Sequence, residues 1–168
     1  MIDRLPRWDE RPREVANLFN PAFTSLLLSR TLAGYSGGDG SGMPLVLAYL
    51  VLPIVLHPDT RDALPRAAST TMYGWIAEYP HLKALFPARA RRSVPFTQEA
   101  IRFGIMYGKL AISAGSLVTG SHRYAQSAMP SDATDEVKLC LQKAAFLGRW
   151  FADTESPRTV LATWGVRP

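Results

Sequence analysis

A chain of 168 residues suits one hydrophobic core, and 47% hydrophobic residues are too many for an intrinsically disordered chain. The single cysteine, Cys140, excludes an internal disulfide and a cysteine zinc site and fits a reducing compartment. A net charge of +5 permits a nucleic-acid or acidic protein partner without requiring either.

Residues 1–12, with Pro6, Pro12 and several charges, read as an extended N-terminal arm. A helix begins within Arg13–Asn17. Pro21 suits a first helical turn capped by Asn20, and Phe23, Leu26 and Leu27 continue that second helix at helical spacing to about Gly34. The glycine-rich segment 34–43 is a flexible loop. It lacks the Gly-Lys-Ser/Thr ending of a phosphate-binding loop. Asp39 alone does not make a calcium loop.

The segment "MPLVLAYLVLPIVLHPDTRDALP" (43–65) is the chain's most apolar. The 14 residues from Met43 to Leu56 carry no charge. A spanning helix needs about 20, so the run reads as a buried core helix with no membrane role. Forty-two residues precede it, starting polar and charged, so it does not read as a signal peptide, and a cytoplasmic protein is expected. Pro53 is expected to kink the helix. His57-Pro58 should stop it, with His57 bonding its last carbonyls. "HPDTRDALP" then reads as a short turn, capped by Asp59 or Thr60, that presents Thr60 and Arg61 for partner binding or in which Arg61 closes its own turn through an internal acidic partner.

Next comes an amphipathic helix near Thr70–Tyr79, with Trp75 and Tyr79 packed on one face and a break at Pro80. Arg89, Arg91 and Arg92 form a basic loop. Thr97 caps a further helix that carries Gln98, Arg102 and Lys109 near one face. These six residues are the candidate nucleic-acid contacts.

After Gly108 the apolar period changes to two. Leu110–Thr119 reads as a hairpin turning at Ala114-Gly115. Helices followed by a hairpin follow the order of a winged-helix unit, placed at about 43–120. The fold class is therefore mainly α: a single helical domain over 13–168 with a winged-helix-like unit, a short β-hairpin and C-terminal helices. Ser131 or Asp132 should cap a long helix over 133–152, with Val137, Leu141, Ala144 and Ala145 facing inward. Ser156-Pro157 opens a last short helix that Gly165 ends.

Catalytic chemistry is missing from the pattern. His57, His81 and His122 are scattered and form no metal-ligand cluster. "GDGSG" at 38–42 is not at a strand-to-helix turn, so it is not a nucleophile elbow. Cys140 between Leu139 and Leu141 reads as a buried thiol. The carboxylate pairs Asp59/Asp62 and Asp132/Asp135 read as helix-start charges. No cofactor is expected, and the chain reads as a non-enzyme.

Four stretches together carry a family resemblance: "WDERPREVANLFNPAFTSLLL" (8–28), "GMPLVLAYLVLPIVLHPDTRDALP" (42–65), "GWIAEYP" (74–80) and "ATWGVRP" (162–168). The chain resembles the middle component of bacterial three-component ABC ATPase systems over nearly its whole length. The positions that match are Asn20, Pro21, Phe23, Pro53, His57, Pro58, Thr60, Arg61, Leu64 and Pro65. The resemblance implies a non-catalytic adaptor, linking an SMC- or Rad50-like ABC ATPase to a third effector component in defence against phages and other invading DNA. DNA and a second copy of the chain remain further candidate partners. The alternative is a stand-alone winged-helix DNA-binding regulator, reading duplex through Gln98, Arg102 and Lys109.

Overall fold

The uncharged run lies at the centre of the molecule. In the computed structural model, which describes residues 5–167, Leu45–Val55 form helix α3, and every residue from Leu50 to Leu56 is buried. Each fully buried leucine, isoleucine or valine contributes about 1.5–3 kcal/mol, so this short helix anchors the core. The first four residues of the N-terminal arm lie outside the described residues. Within the rest of it, Trp8–Glu10 wind into a 3-10 turn instead of remaining extended.

The helices before α3 follow the local signals. Helix α1 spans Arg13–Leu18, and α2 spans Pro21–Ser36. The Asn20 side chain accepts hydrogen bonds from the Ala22 and Phe23 amides, as the Asn-Pro cap requires. A two-residue strand, β1 (Met43–Pro44), precedes α3. The sequence gives no sign of it, because so short a strand shows no alternation and exists only through its partner.

After α3, helices α4 (Pro58–Ala63) and α5 (Met72–Glu78) lead to α6, which runs from Pro80 to Met106. Two expectations fail here. Pro80 ends α5 but opens α6 at once, and the helix continues through Pro87 and Pro95. Arg89, Arg91 and Arg92 therefore lie on a helix, not in a loop. Thr97 is not a cap but a fully buried mid-helix residue. An interior proline costs a helix about 3 kcal/mol. Leu82, Phe86, Ala90, Ser93, Thr97, Ile101 and Gly104 offset that cost, being buried at spacings of three or four along one face.

The hairpin forms as its period indicates. Strands β2 (Leu110–Ser113) and β3 (Ser116–Thr119) pair antiparallel around Ala114 and Gly115. Both turn residues have positive φ, +47° and +76°, the left-handed geometry of a tight two-residue hairpin. Strand β1 adds to β3, with Met43 opposite Leu117, giving the sheet order β1-β3-β2. Helix α2, strand β1, helices α3 and α6 and the hairpin together have the order of a winged-helix arrangement, with α4 and α5 between its second and third helices, so that order starts at α2, ahead of the 43–120 expected.

Helix α7 (Asp135–Ala152) is capped by Thr134, whose hydroxyl accepts from the Val137 amide. The cap sits two residues later than Asp132, which leaves Asp135 and Glu136 in the first turn where the helix dipole favours them. Helix α8 (Pro157–Thr163) starts at the Ser156 cap. Trp75, Trp150, Trp164 and Phe86 pack as one aromatic group joining α5, α6, α7 and the end of α8.

Candidate interaction surfaces

Thr60 and Arg61 are not displayed. Thr60 has no exposed surface and Arg61 retains 5%. The reason lies at the C-terminal end of α3, whose last carbonyls have no partner within the helix. Arg61 Nη1 donates to the Val55 carbonyl at 3.3 Å, and Arg89 Nε donates to the Pro53 carbonyl at 3.0 Å. Two cations thus meet the negative end of an apolar helix that carries none of its own. Arg61 also reaches Glu136 on α7 at 3.0 Å and Asp62 at 3.4 Å. Of the two roles the sequence leaves open for Arg61, this geometry fits the internal one: the α3 end draws the guanidinium inward.

His57 does not bond the α3 carbonyls. It caps α4 instead, its Nδ1 accepting from the Thr60 amide at 3.3 Å, in place of Asp59 or Thr60 as cap. Arg89 Nη2 donates to Thr60 Oγ1 at 2.9 Å, and that hydroxyl lies 3.0 Å from His57 Nδ1. Arg89, Thr60 and a neutral His57 form one hydrogen-bond chain. Burial lowers the His57 pKa below its ordinary value, and the Arg89 charge adds to the shift. Burial likewise lowers that of Arg89. Cys140 Sγ accepts from Arg61 Nη1 at 3.3 Å. Burial raises the thiol pKa and Arg61 offsets only part, consistent with a structural cysteine.

The other candidate nucleic-acid residues do not form one cluster. Arg89 faces inward. Arg91, Arg92 and Arg102 are exposed on α6. Gln98 and Arg102 line one hollow together. Lys109 lies past the end of α6 and sits 5.1 Å from the centre of the Tyr124 ring.

Two adjoining hollows on this side share Tyr49. One, of about 410 Å³, lies between α3, α6 and α8, lined by Val46, Leu50, Val94 and Leu161 and by the exposed Arg91 and Arg167. The other, of about 290 Å³, lies between α3, α6 and the hairpin, lined by Leu45, Ile101, Ile105 and Ile112 with Gln98 and Arg102. No carboxylate lines either. Met106 and Tyr107 add exposed apolar surface beside Ile105 and Ile112. Sequence reasoning missed this cleft. Its one available signal was Ile105-Met106-Tyr107, an apolar run at a helix end with no matching run to cover it.

Among the described residues no cluster of His, Cys, Asp and Glu is placed to hold a metal ion, and no helix is long and apolar enough to cross a membrane. No curated protein and no solved structure matches the chain. One family model does, described as ABC-three component (ABC-3C) system Middle Component 3, and it matches residues 8–168.

Proposed function

The chain belongs to the ABC-three component system Middle Component 3 family, and from that membership we propose that it is a non-catalytic adaptor joining the ABC ATPase of its system to the third, effector component in defence against invading DNA. The observation that carries this reading is the surface around the end of α6. A helix that reads duplex should present basic and amide side chains there. Here Ile105, Met106, Tyr107 and Ile112 are exposed beside Gln98 and Arg102, so the surface is largely apolar, of the kind proteins bind.

Thr60 and Arg61 enter this reading as scaffold. Arg61 supports any interface through the fold, by fixing the ends of α3 and α7. Co-expression of the three components tests the proposal. The chain is expected to co-purify with the ATPase, and Cys140→Ser is expected to leave recovery unchanged. Arg61→Glu places a carboxylate beside Glu136 and the α3 carbonyls; it should destabilise the fold by about 3–5 kcal/mol, lowering the melting temperature by about 6–20 °C, and reduce recovery only to that extent. A folded, stable Arg61→Glu protein that loses the ATPase would return Arg61 to the interface. Elution of the wild-type chain free of both components would sink the adaptor reading.

The runner-up, a DNA-binding regulator, draws on the winged-helix order and on exposed Arg91, Arg92 and Arg102. It requires duplex affinity from the isolated chain that falls steeply with salt.

A further inference from the structure

We infer that the cleft centred on Tyr49 receives an acidic, amphipathic helix from a partner protein; this rests on the adaptor reading and names the surface it uses. Three observations lead there. The two hollows adjoin at Tyr49, which lines both, and they follow one another along α3 and α6. Their lining is largely aliphatic, from Val46, Leu50 and Val94 at one end to Ile101, Ile105 and Ile112 at the other. The charged side chains among that lining are Arg91, Arg102 and Arg167.

None of these three arginines has an ion pair among the described residues. This contrasts with Arg11 and Arg61, which are paired with Glu99 and Glu136. The hollow on the opposite end of α3, beside Arg61 and Cys140, is lined by Glu14 and Glu136 as well. Arg92, Arg149 and Arg158 also have no ion pair among the described residues, but they line neither hollow; Arg91, Arg102 and Arg167 are the cations set around an aliphatic floor that holds no carboxylate.

The dimensions select a helix. From Pro87 to Ile105, α6 runs about 27 Å at 1.5 Å per residue, which matches about five turns of a second helix laid beside it. Its apolar stripe at i, i+3, i+4 and i+7 would cover the aliphatic lining. Carboxylates on its flanks would meet the guanidinium groups, where bidentate pairing adds orientation to affinity. A second copy of this chain suits the cleft poorly, because it would bring the same unpaired arginines. Duplex DNA suits it poorly too, because a phosphate backbone gains nothing from an aliphatic floor.

The probes are overlapping 20-residue peptides covering the ATPase and effector components of the same system, tested against the full chain by fluorescence anisotropy. Peptides that bind are expected to combine an apolar helical stripe with flanking Asp or Glu. Their affinity should fall at least tenfold in the triple variant Arg91→Glu, Arg102→Glu, Arg167→Glu, whose three sites are exposed and whose melting temperature should be unchanged. Tyr49→Ala should weaken binding without reversing any charge. Absence of any binding peptide overturns the inference, as does binding by basic peptides or binding that the triple variant leaves intact. Tighter retention of a 20-base-pair duplex than of every peptide also overturns it. If the triple variant still co-purifies with both the ATPase and the effector component, the cleft assignment falls while the adaptor reading stands. If the wild-type chain never co-purifies, the adaptor reading falls, whatever the peptides do.

Discussion

At the scale of single residues, His57 holds the junction between α3 and α4. Its Nδ1 is an acceptor, for the Thr60 amide and at hydrogen-bond distance from the Thr60 hydroxyl. Protonation removes that lone pair and sets a cation near Arg89 and Arg61. The folded-state pKa is accordingly lowered from 6.5, with burial as the main cause. Unfolded chain therefore binds the proton more readily than folded chain. The His57 contribution to stability is complete above about pH 6.5 and is lost as pH falls through the lowered folded value. His57→Asn keeps a good cap without a titrating group. Its urea midpoint should lie close to wild type at pH 8, and it should fall less than wild type between pH 7 and pH 5. Equal loss in both proteins would show that His57 is not the sensitive group. The cap at Asn20 was legible in the sequence because a cap bonds within three residues. The destinations of Arg61 and Arg89 were not, because Glu136 and Pro53 lie 75 and 36 residues away along the chain.

At the scale of elements, two glycines set how closely α2 and α7 pack. A Cβ on Gly148 would overlap the carbonyl oxygen of Thr31, and one on Gly34 would overlap that of Ala145. The two backbones touch at both points, so neither site has a flexible side chain that can move aside. Gly148→Ala gains helix propensity of about 1 kcal/mol but forces the helices apart. We expect a net loss of about 2–3 kcal/mol, seen as a lower denaturant midpoint with near-native helical circular dichroism. A stabilised variant would mean that the helices separate freely. Helix α6 makes the complementary point. Its buried stripe was present in the sequence but was interrupted by the basic loop read at Arg89–Arg92, because local signals cannot register how much burial a distant α2 and α3 will supply.

At the scale of the whole molecule, α3 touches α2, α4, α6, α7 and α8. The buried apolar residues form one cluster that runs from α2 to the end of α8. Loss of α3 should therefore be loss of the fold. Leu50 is 1% exposed, and an aspartate there has no partner. A buried, unpaired carboxylate costs several kcal/mol, a large share of the 5–15 kcal/mol typical of a domain. Leu50→Asp should abolish cooperative thermal unfolding. A soluble variant with an unchanged melting temperature would remove α3 from the centre of the stability account.

What the sequence by itself determined are features settled within a few residues: the Asn20 and Ser156 caps, the Ala114-Gly115 turn, and a charge-free run too short for a bilayer and too apolar for the surface. Each depends on backbone groups or periodicity that neighbouring residues fix. Tertiary structure alone decided that Met43 pairs with Leu117, that α6 continues through two prolines, and that Arg61 and Arg89 turn inward while Arg91, Arg102 and Arg167 line an apolar cleft. An arginine looks the same in sequence wherever it lies. Its role was set by what the fold brought to it: the unpaired carbonyls of a helix end for two of them, and an aliphatic floor without carboxylates for the other three.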